Sequence, residues 1–503
     1  MAAKLLLQQF LIHDSFDLHR DEYLHLDQAH HLAWGYASVP PATSWISWII
    51  WQLGNSEFWV KFFPALFGAL SIVLVIHTTR ILGGALFAQI LVAVTLFFSG
   101  LLRMNILYQP NSLDVLCWTA LFFGCVQYIR TEKSKWLYFL CVSLAIGILN
   151  KYSIIFLALS LFPLLIILKR KTLVNNAHSY IATVLLVLLI APNMYWQWQH
   201  DFPVLKHMQE LRDTQLHLIR TNDFLTDQLY FFPGGLLVLL AAIISLITYP
   251  PFKPFRILLA SFIITLLLFI YFKGKSYYVF GLYPIFFAFG ATWLEKLLQP
   301  GWRKWLRYGL LLIPVLVFIP MWKKSFPNRN AETLVAYDLK AHGAPSHRWE
   351  DDKKYALSQD FADMLGWKEL TTKTDLLISQ IPDSAGLILL ADNYGEAGAF
   401  NFYTKQKQIR AYSFNADYFL WMKEYLKKDT LPLTDIIWIQ QADNNSGEQI
   451  YNYFGNVNIF DSISAKWARE KGTKIIHLSK ARMDIRNFLL QQIKQRDGNE
   501  ASN

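Results

Sequence analysis

The feature that most constrains this chain is a succession of apolar runs between residues 58 and 322, separated by short polar segments. Each run is close to the ~20 residues that an α-helix needs to cross the ~30 Å hydrocarbon core of a bilayer. There are ten runs, covering residues 58–79, 86–102, 111–129, 136–149, 153–168, 179–196, 230–249, 255–272, 276–294 and 305–322. The sequence therefore predicts a polytopic α-helical membrane protein with about ten spanning helices.

The composition agrees with a membrane protein. Apolar residues make up 54% of the 503 residues and charged residues only 17%, whereas soluble domains carry about 25% charged residues. The net charge of +10 is spread in short clusters between apolar runs rather than over one basic face, so no nucleic-acid partner is expected. Cys117, Cys125 and Cys141 all lie inside apolar runs, without the spacing of metal ligands.

The positive residues predict an orientation, because Lys and Arg are retained on the cytoplasmic side of a membrane. The loops assigned to the cytoplasm hold Arg80, Arg130, Lys133, Lys135, Lys169, Arg170, Lys171, Lys253, Arg256, Lys296, Arg303, Lys304 and Arg307. The long loop 197–229 contains more acids than bases, which suits the outside. The same alternation places residues 13–57 and the chain beyond residue 322 outside an inner (plasma) membrane.

The apolar stretch from Trp136 to Leu168 has to contain a turn. A straight helix of this length would measure about 50 Å at 1.5 Å per residue, and both ends carry positive clusters of the cytoplasmic type. One helix cannot return to its own side of the membrane. We therefore expect two short helices joined at Asn150-Lys151-Tyr152, with Lys151 at the outer side.

The two ends of the chain differ from its middle. The apolar segment before His13 is too short to cross a bilayer, so we expect either a truncated first span or a start that lies upstream. Beyond residue 322 the charge density is that of a soluble domain. Strand-like runs at 387–391, 435–439 and 474–478 alternate there with helical patterns at 358–380 and 417–428.

Three regions are therefore predicted. Residues 1–57 form a short apolar segment followed by a first extracytoplasmic, catalytic loop. Residues 58–322 form the transmembrane domain. Residues 323–503 form an extracytoplasmic, soluble α/β domain.

The first outside loop carries an acid pair, Asp21-Glu22. A carboxylate at the outer membrane edge can bind a cation or act as general base toward an acceptor hydroxyl; a solvated loop pair is the plainer alternative. His25, His30 and His31 lack the helical spacing of a metal-binding pair. The metal is therefore left unknown, with a divalent cation as an open alternative and no other cofactor expected.

Further charged residues lie at the outer ends of apolar runs. Asp114 follows a Gln-Pro-Asn turn, where an acid either serves function at membrane depth or meets the positive end of a helix dipole. Lys151, Lys273 and Lys275 are positive residues on the predicted outside, against the usual bias. They suit a lipid phosphate, although snorkelling to the interface is the alternative reading.

A series of motifs in a fixed order resembles a known family. In order these are Asp21-Glu22, Gly35-Tyr36, Pro40-Pro41, Asn150-Lys151-Tyr152, Gly274-Lys275-Ser276-Tyr277-Tyr278, Leu282-Tyr283-Pro284, Arg348-Trp349-Glu350-Asp351 and Asp392-Asn393-Tyr394-Gly395-Glu396-Ala397-Gly398-Ala399. They are similar to those of bacterial members of the protein mannosyltransferase and aminoarabinose transferase family. These are GT-C glycosyltransferases that use polyprenyl-phosphate sugars, so the resemblance implies a GT-C fold.

The resemblance also implies roles for individual residues. Asp21 matches the essential first-loop acid of the family, with Glu22 beside it. Lys151 matches a lysine associated with the donor phosphate, and Lys275 matches a basic residue before a tyrosine-rich outer turn that here contains Tyr277. Members commonly carry an acid just before the double proline, where this chain has Ser38-Val39. A cation site that depends on that acid lacks the ligand here.

The residues support the same chemistry without the family name. A sugar on a lipid phosphate needs a base for the acceptor and positive groups for the departing phosphate. Asp21, Glu22 and Asp114 are the candidate catalytic acids, and Lys151, Lys275 and Tyr277 the candidate phosphate ligands. The expected function is transfer of a sugar from a polyprenyl-phosphate donor to a protein, lipid or cell-envelope glycan, with inversion. A membrane transporter or lipid flippase, or a non-catalytic assembly or sensory protein, is the alternative.

Overall fold

The structure is a computed structural model that describes residues 1–299, 301–382, 386–428, 431–444 and 446–501. Up to residue 324 the chain is helical. Its α-helices are α1 (Ala2–Gln8), α2 (Arg20–Asp27), α3 (Ala42–Gln52), α4 (Glu57–Ile81), α5 (Leu86–Phe97), α6 (Gly100–Met104), α7 (Pro110–Thr131), α8 (Lys135–Asn150), α9 (Ile154–Leu168), α10 (Arg170–Val174), α11 (Ala177–Gln199), α12 (Pro203–Thr214), α13 (Thr221–Phe231), α14 (Leu236–Thr248), α15 (Arg256–Tyr271), α16 (Pro284–Leu297) and α17 (Leu306–Lys324).

Short 3₁₀ helices connect several of these elements. They lie at Gln28–His30, Leu216–Leu218, Pro233–Gly235, Pro250–Phe255, Ser276–Leu282 and Gly301–Trp305.

After residue 324 strands appear between the helices. The elements are α18 (Ala331–His342), β1 (His347–Arg348), β2 (Lys354–Tyr355), α19 (Gln359–Ala362), α20 (Trp367–Ser379), β3 (Leu387–Ala391), α21 (Tyr394–Tyr403), β4 (Ala411–Ser413), α22 (Tyr418–Lys428), β5 (Asp435–Gln440), β6 (Phe454–Ser462), β7 (Lys474–Ala481) and α23 (Ile485–Ala501), with a 3₁₀ helix at Ser446–Tyr453 between β5 and β6.

The chain divides into two compact units. The first, here called the membrane unit, comprises residues 1–12, 33–43 and 58–328. The second, here called the α/β unit, comprises residues 13–32, 44–57 and 329–503. Residues 13–32 and 44–57 of the predicted outside loop therefore fold with the C-terminal part of the chain, whereas residues 33–43 fold with the membrane unit. No sequence pattern indicated this division.

Each of the ten apolar runs forms helix in the membrane unit. Among the described residues, five helices are long and apolar enough to cross a membrane: 57–81, 110–131, 177–199, 250–271 and 301–324. Two bent pairs, 221–248 and 276–297, reach that length together, and three shorter apolar helices are α5, α8 and α9. The chain is a multi-pass membrane protein, and the count of ten spans stays a prediction.

The predicted turn between two short helices is confirmed. Helix α8 ends at Asn150 and α9 begins at Ile154. The backbone at Lys151 is extended, and its N–H donates to the carbonyl of Gly147 as the last bond of α8. Lys151 thus lies at the point where the chain reverses.

The α/β unit is built on a five-stranded mixed sheet in the order β4-β3-β5-β7-β6. Strand β3 pairs in parallel with β4 and β5, whereas β7 runs antiparallel to β5 and β6. The three sequence-predicted strands are β3, β5 and β7, which were detectable because they are apolar and largely buried. Strand β6 was missed because it alternates polar residues along a mostly exposed strand.

Two helices cover one face of this sheet. Helix α22 contributes Met422 and Leu426, and α23 contributes Ile485, Leu489 and Ile493, to a core with the apolar side chains of β3, β5 and β7. The predicted helix 417–428 corresponds to α22, and the predicted helix 358–380 forms as α19 and α20. The predicted fold class, a helical membrane domain with an α/β domain, is confirmed.

Candidate active site

The two predicted acids of the first loop have different environments in the α/β unit. Helix α2 begins just before them, and the ring of His19 caps it by accepting from the Asp21 N–H at 3.2 Å. The Glu22 carboxylate returns to accept from the His19 N–H at 2.6 Å, which completes a capping box. Glu22 is fully buried. The structure therefore gives Glu22 the role of a helix cap, whereas the Asp21 side chain is 36% exposed.

Asp21 is held by a hydroxyl and by positive groups. The Tyr394 hydroxyl donates to Asp21 Oδ1 at 2.7 Å, and Arg20 Nε lies 3.8 Å from the same oxygen. Burial would raise the pKa of the Asp21 carboxyl, but the electrostatic influence of His19 and Arg20 and the bond from Tyr394 outweigh it and lower the pKa to about 2. Asp21 is therefore an ionised carboxylate at neutral pH.

Tyr394 is a suitable donor to Asp21 because it stays protonated. Burial and the neighbouring Asp21 charge raise the pKa of the Tyr394 phenol. Tyr394 is the first residue of α21, whose N-cap Asn393 forms a second capping box with Glu396. The motif around residue 394 thus starts a helix and presents a phenol to the first-loop acid.

Two glycines of the same motif allow α21 to approach α2 closely. A Cβ on Gly395 would lie 2.3 Å from Arg20 Cγ, and one on Gly398 would lie 2.7 Å from Tyr23 Cβ. Neither distance is possible between real atoms. The spacing of these glycines therefore reflects helix packing against the first loop, which explains why the motif contains small residues.

The sheet explains why Tyr394 lies at this position. In the sheet β3 lies between β4 and β5. The chain therefore passes from β3 to a neighbouring strand on one side, β4, and then to the strand on the other side, β5. The order of the strands thus reverses beside β3. Ligands of such sheets bind at the carboxyl ends of the strands next to a switch point. Asp392 follows β3 there and accepts from the Gln441 N–H and the Trp438 indole, both at 2.8 Å. Tyr394, two residues later, reaches Asp21.

The first loop also caps a helix of the C-terminal region. Asp17 Oδ2 accepts from the N–H groups of Trp367 at 2.9 Å and Lys368 at 3.2 Å. These are the first residues of α20, whose own N-cap is Gly366, a residue without a capping side chain. Trp367 in turn packs edge-on against Tyr23 at 5.8 Å. Loop and C-terminal region thus share polar and apolar contacts within one unit.

The other candidate residues come together in the membrane unit. Lys151 Nζ donates to Asn111 Oδ1 at 2.7 Å. The ammonium lies 4.1 Å from the ring centroid of Tyr278 and 5.2 Å from that of Tyr277, distances at which a cation is attracted to an aromatic face. The charge of Lys275 also acts on Lys151. Lys151 thus lies close to Tyr277 and within electrostatic range of Lys275, and their joint role as a phosphate site stays a prediction.

Asp114 belongs to the same cluster, behind Lys151. It is 5% exposed, and it accepts from the Trp118 indole at 2.9 Å and from the Ser153 hydroxyl at 3.3 Å. Asn111 and Asp114 are three residues apart near the start of α7, so they share a helix face. That face meets the turn after α8, where Asn150 donates to the Pro110 carbonyl at 2.9 Å.

Other sequence motifs have packing roles in the membrane unit. A Cβ on Gly35 would lie 2.3 Å from the Trp196 ring, and a Cβ on Gly281 would lie 2.6 Å from Trp118 Cβ. Tyr36 donates its N–H to the Val39 carbonyl at 3.2 Å, which closes a turn just before the double proline. The segment at which family members carry an acid is therefore a tight turn here.

The possible metal ligands among the described residues bear on the cation site that the sequence leaves open. Within the described ranges, no group of three or more His, Cys, Asp and Glu side chains could hold a metal ion. His31 instead stacks on Trp421 at 4.2 Å and His30 packs edge-on against Trp51 at 5.1 Å.

Sequence reasoning missed several residues that complete these arrangements. They are His19, Arg20, Asn111, Trp118, Ser153 and Tyr278, together with the role of Tyr394. The three-residue spacing of Asn111 and Asp114 could have indicated that both side chains lie on one helix face near Lys151. No sequence signal indicated the contact between Asp21 and Tyr394, because 373 residues separate them.

Comparisons with known proteins bear on the family and the fold. The family model described as dolichyl-phosphate-mannose-protein mannosyltransferase matches residues 38–196. Two crystal structures of ArnT from Cupriavidus metallidurans match nearly the whole chain. The apo structure has a TM-score of 0.62 at 12% identity, covering 96% of this chain and 97% of that one. The structure bound to undecaprenyl phosphate has a TM-score of 0.60 at 11% identity, covering 95% and 96%.

The chain has the GT-C fold of ArnT. The resemblance seen in the sequence is confirmed by the family model over residues 38–196, a range that includes Asn111, Asp114 and Lys151. None of the curated proteins matches the chain in a sequence comparison. At 11–12% identity the structural likeness speaks for the fold, and the activity is argued below from the site.

Proposed function

We propose that this protein is a membrane glycosyltransferase that moves a sugar from a polyprenyl-phosphate donor to an extracytoplasmic acceptor with inversion. The observation that carries the proposal is the setting of Lys151. Its ammonium is held by the neutral amide oxygen of Asn111 and by two tyrosine faces, so its charge is directed without a close carboxylate contact. Such a cation suits the phosphate of a lipid carrier.

The donor phosphate is the first partner in this proposal. Lys151 and Lys275 would bind its oxygens, and Tyr277, which is 36% exposed, would line the site. Support comes from the ArnT structure with the same fold, which is bound to undecaprenyl phosphate. When the sugar leaves, the phosphate oxygen takes the electron pair of the broken C–O bond, and two positive groups stabilise that developing charge.

Asp21 is the proposed base. As the acceptor oxygen attacks the anomeric carbon, its proton passes to an Asp21 carboxylate oxygen and the lipid phosphate departs from the opposite face. A carboxylate with a pKa of about 2 is a weak base. Proton transfer should therefore come late, once bond formation has made the hydroxyl proton strongly acidic.

Asp114 takes a supporting role in this scheme. Its carboxylate is buried and occupied by Trp118 and Ser153, so it is poorly placed to exchange protons with an acceptor. Its negative charge acts on Lys151. We assign Asp114 to positioning Lys151, in place of the catalytic role expected from the sequence.

The proposal includes a location. The positive loops favour an inner membrane protein with the Lys151 turn, the first loop and the C-terminal domain outside. The acceptor is a protein, a lipid or a cell-envelope glycan.

One experiment tests both the activity and the acceptor. Membranes containing the protein are incubated with undecaprenyl-phosphate sugars carrying a radiolabelled sugar, and protein, lipid and glycan fractions are counted. Label covalently attached to one fraction, and lost with Asp21→Asn, is the expected result. Recovery of the labelled donor unchanged on the other side of sealed vesicles would instead identify a transporter or flippase.

A further inference from the structure

A crevice opens among four helices of the membrane unit, α8, α9, α10 and α11, and its volume is about 240 Å³. Its walls are made largely of aliphatic side chains, among them Leu140 and Leu144 of α8 and Leu165 of α9. Ser179 and Thr183 of α11 add only small hydroxyl groups. An apolar slot of this kind in a membrane protein suits a hydrocarbon chain.

The crevice is remote from the Lys151 turn. Its lining residues on α8 run from Leu137 to Leu144, which is about 10 to 20 Å along the helix from Lys151 at 1.5 Å per residue. On α9 the lining residues are at the other end of the helix, from Phe162 onward. The slot therefore faces the membrane leaflet opposite to the one that the Lys151 turn serves.

The short helix α10 joins this slot to positive charge. Leu173 and Val174 line the crevice, while Arg170 and Lys171 of the same five-residue helix are exposed. The preceding Lys169 is engaged by Glu132 in an ion pair. Two exposed cations therefore lie within about 10 Å of an apolar slot, since α10 is only one and a half turns long.

We propose that this crevice binds one acyl chain of an anionic diacyl phospholipid, whose phosphate is held by Arg170 and Lys171. Basic pockets between membrane helices attract anionic headgroups, and the aliphatic walls accept the chain. The donor lipid is a less suitable occupant, because Lys151, the proposed partner of its phosphate, lies at the far end of α8. The binding of an anionic lipid here does not depend on the proposed enzymatic activity; only the argument against the donor lipid rests on that proposed function.

The test measures lipid binding to the purified full-length protein. Native mass spectrometry in detergent gives the fraction of protein that retains added phosphatidylglycerol, with phosphatidylcholine as the zwitterionic comparison. The charge variant is Arg170→Gln with Lys171→Gln. The matched control is Lys323→Gln with Lys324→Gln, which removes two adjacent exposed cations at the end of α17. Ala182→Phe fills the crevice without changing charge, since Ala182 lines it.

The expected result is tighter binding of phosphatidylglycerol than of phosphatidylcholine by the unchanged protein. The charge variant should weaken phosphatidylglycerol binding about tenfold or more, the control should not, and Ala182→Phe should weaken both lipids. Equal binding of the two lipids, or equal losses in the charge variant and the control, would overturn the proposal. So would displacement of phosphatidylglycerol by equimolar undecaprenyl phosphate, which would make the crevice a donor-chain site. If Ala182→Phe fails to fold, the Arg170/Lys171 variant and the Lys323/Lys324 control still decide the question, because both change only exposed residues.

Discussion

The first-loop acid in the α/β unit and the Lys151 turn in the membrane unit hold their charges in different ways. Asp21 has a phenol donor at 2.7 Å and positive neighbours that lower its pKa to about 2. Lys151 instead donates to a neutral amide oxygen and lies over two tyrosine rings. The anion thus has a hydroxyl donor in contact and a cation at 3.8 Å, whereas the contacts of the cation are neutral and the Asp114 charge acts on it from farther away.

This difference matches the work proposed for each charge. A base needs only a positioned, ionised oxygen, so donors and cations that keep Asp21 ionised are compatible with its task. A phosphate site needs a cation that is not held in direct contact by a carboxylate. Among the described residues, the close side-chain hydrogen bond of Lys151 is to the Asn111 amide, and the charge of Asp114 acts from farther away. The predictions below test whether the two arrangements have these separate purposes.

The largest effect is expected at Asp21. Asp21→Asn keeps the side-chain shape and removes the proton acceptor, so transfer should fall by roughly 10² to 10⁴, measured as product formed at saturating acceptor. Glu22→Gln is the matched control, because Gln can also accept in a capping box. Near-normal transfer in Asp21→Asn, or equal losses in both variants, would show that the acids have a structural role.

The next effect concerns the donor phosphate. Lys151→Gln and Lys275→Gln should each weaken donor use by about 1.5 to 3 kcal/mol, the range for a charge-assisted hydrogen bond, read as kcat/KM for the donor. Arg should restore only part of the loss, because its planar fork differs from an ammonium. Lys206→Gln removes an exposed cation of the 197–229 loop and should change little. Donor kinetics that are unaltered in both site variants would refute this assignment.

A smaller effect should follow loss of the phenol that holds Asp21. Tyr394→Phe removes a donor that favours the ionised carboxylate, so the pKa of Asp21 should rise from about 2. Because the base works ionised, activity is lost as the pH falls through this pKa. The acid limb of kcat/KM should therefore move to higher pH, and kcat at pH 7 should fall by about tenfold.

The pH profile separates positioning from folding in this variant. A loss of folded protein lowers the whole profile without moving its acid limb. An unmoved limb, measured between pH 2 and 8 in short incubations, would mean that Tyr394 acts only through packing.

The smallest effect concerns the cap that joins the first loop to α20. Asp17→Ala removes the acceptor of two N–H groups and should lower the free energy of unfolding by about 0.5 to 2 kcal/mol. Asp14→Ala, at an exposed position three residues earlier, is the control. Thermal unfolding of both variants in detergent checks this. An unchanged midpoint for Asp17→Ala would show that this cap does not contribute to the stability of the α/β unit.

Much of the fold was predictable from local patterns. The ten apolar runs all form helix, the break at Lys151 follows from the positive clusters on both sides of it, and β3, β5 and β7 are apolar runs of the expected length. Short or exposed elements such as β4 and β6 were not predicted, because a three-residue strand and a polar edge strand leave no apolar periodicity.

The candidate site was only partly predictable for the same reason. Asp21, Asp114, Lys151 and Lys275 could be recognised as charges in unusual places, a property of each residue alone. Their partners could not be recognised, because residues such as Trp118 and Tyr394 look like ordinary core or loop residues until the chain brings them into contact.

The sequence by itself determined that this chain enters a membrane, since hydrophobicity and positive charge act locally and can be counted along the chain. It also determined which charged residues lie at the ends of apolar runs, where placing a charge at membrane depth costs free energy. Only the tertiary structure decided that residues 13–32 fold with the C-terminal part of the chain, that Glu22 is a buried helix cap while the Asp21 side chain is 36% exposed, and that Tyr394 donates to Asp21. The first and the last of these outcomes depend on contacts between residues more than three hundred positions apart, where packing and hydrogen-bond geometry decide between chemically equivalent side chains.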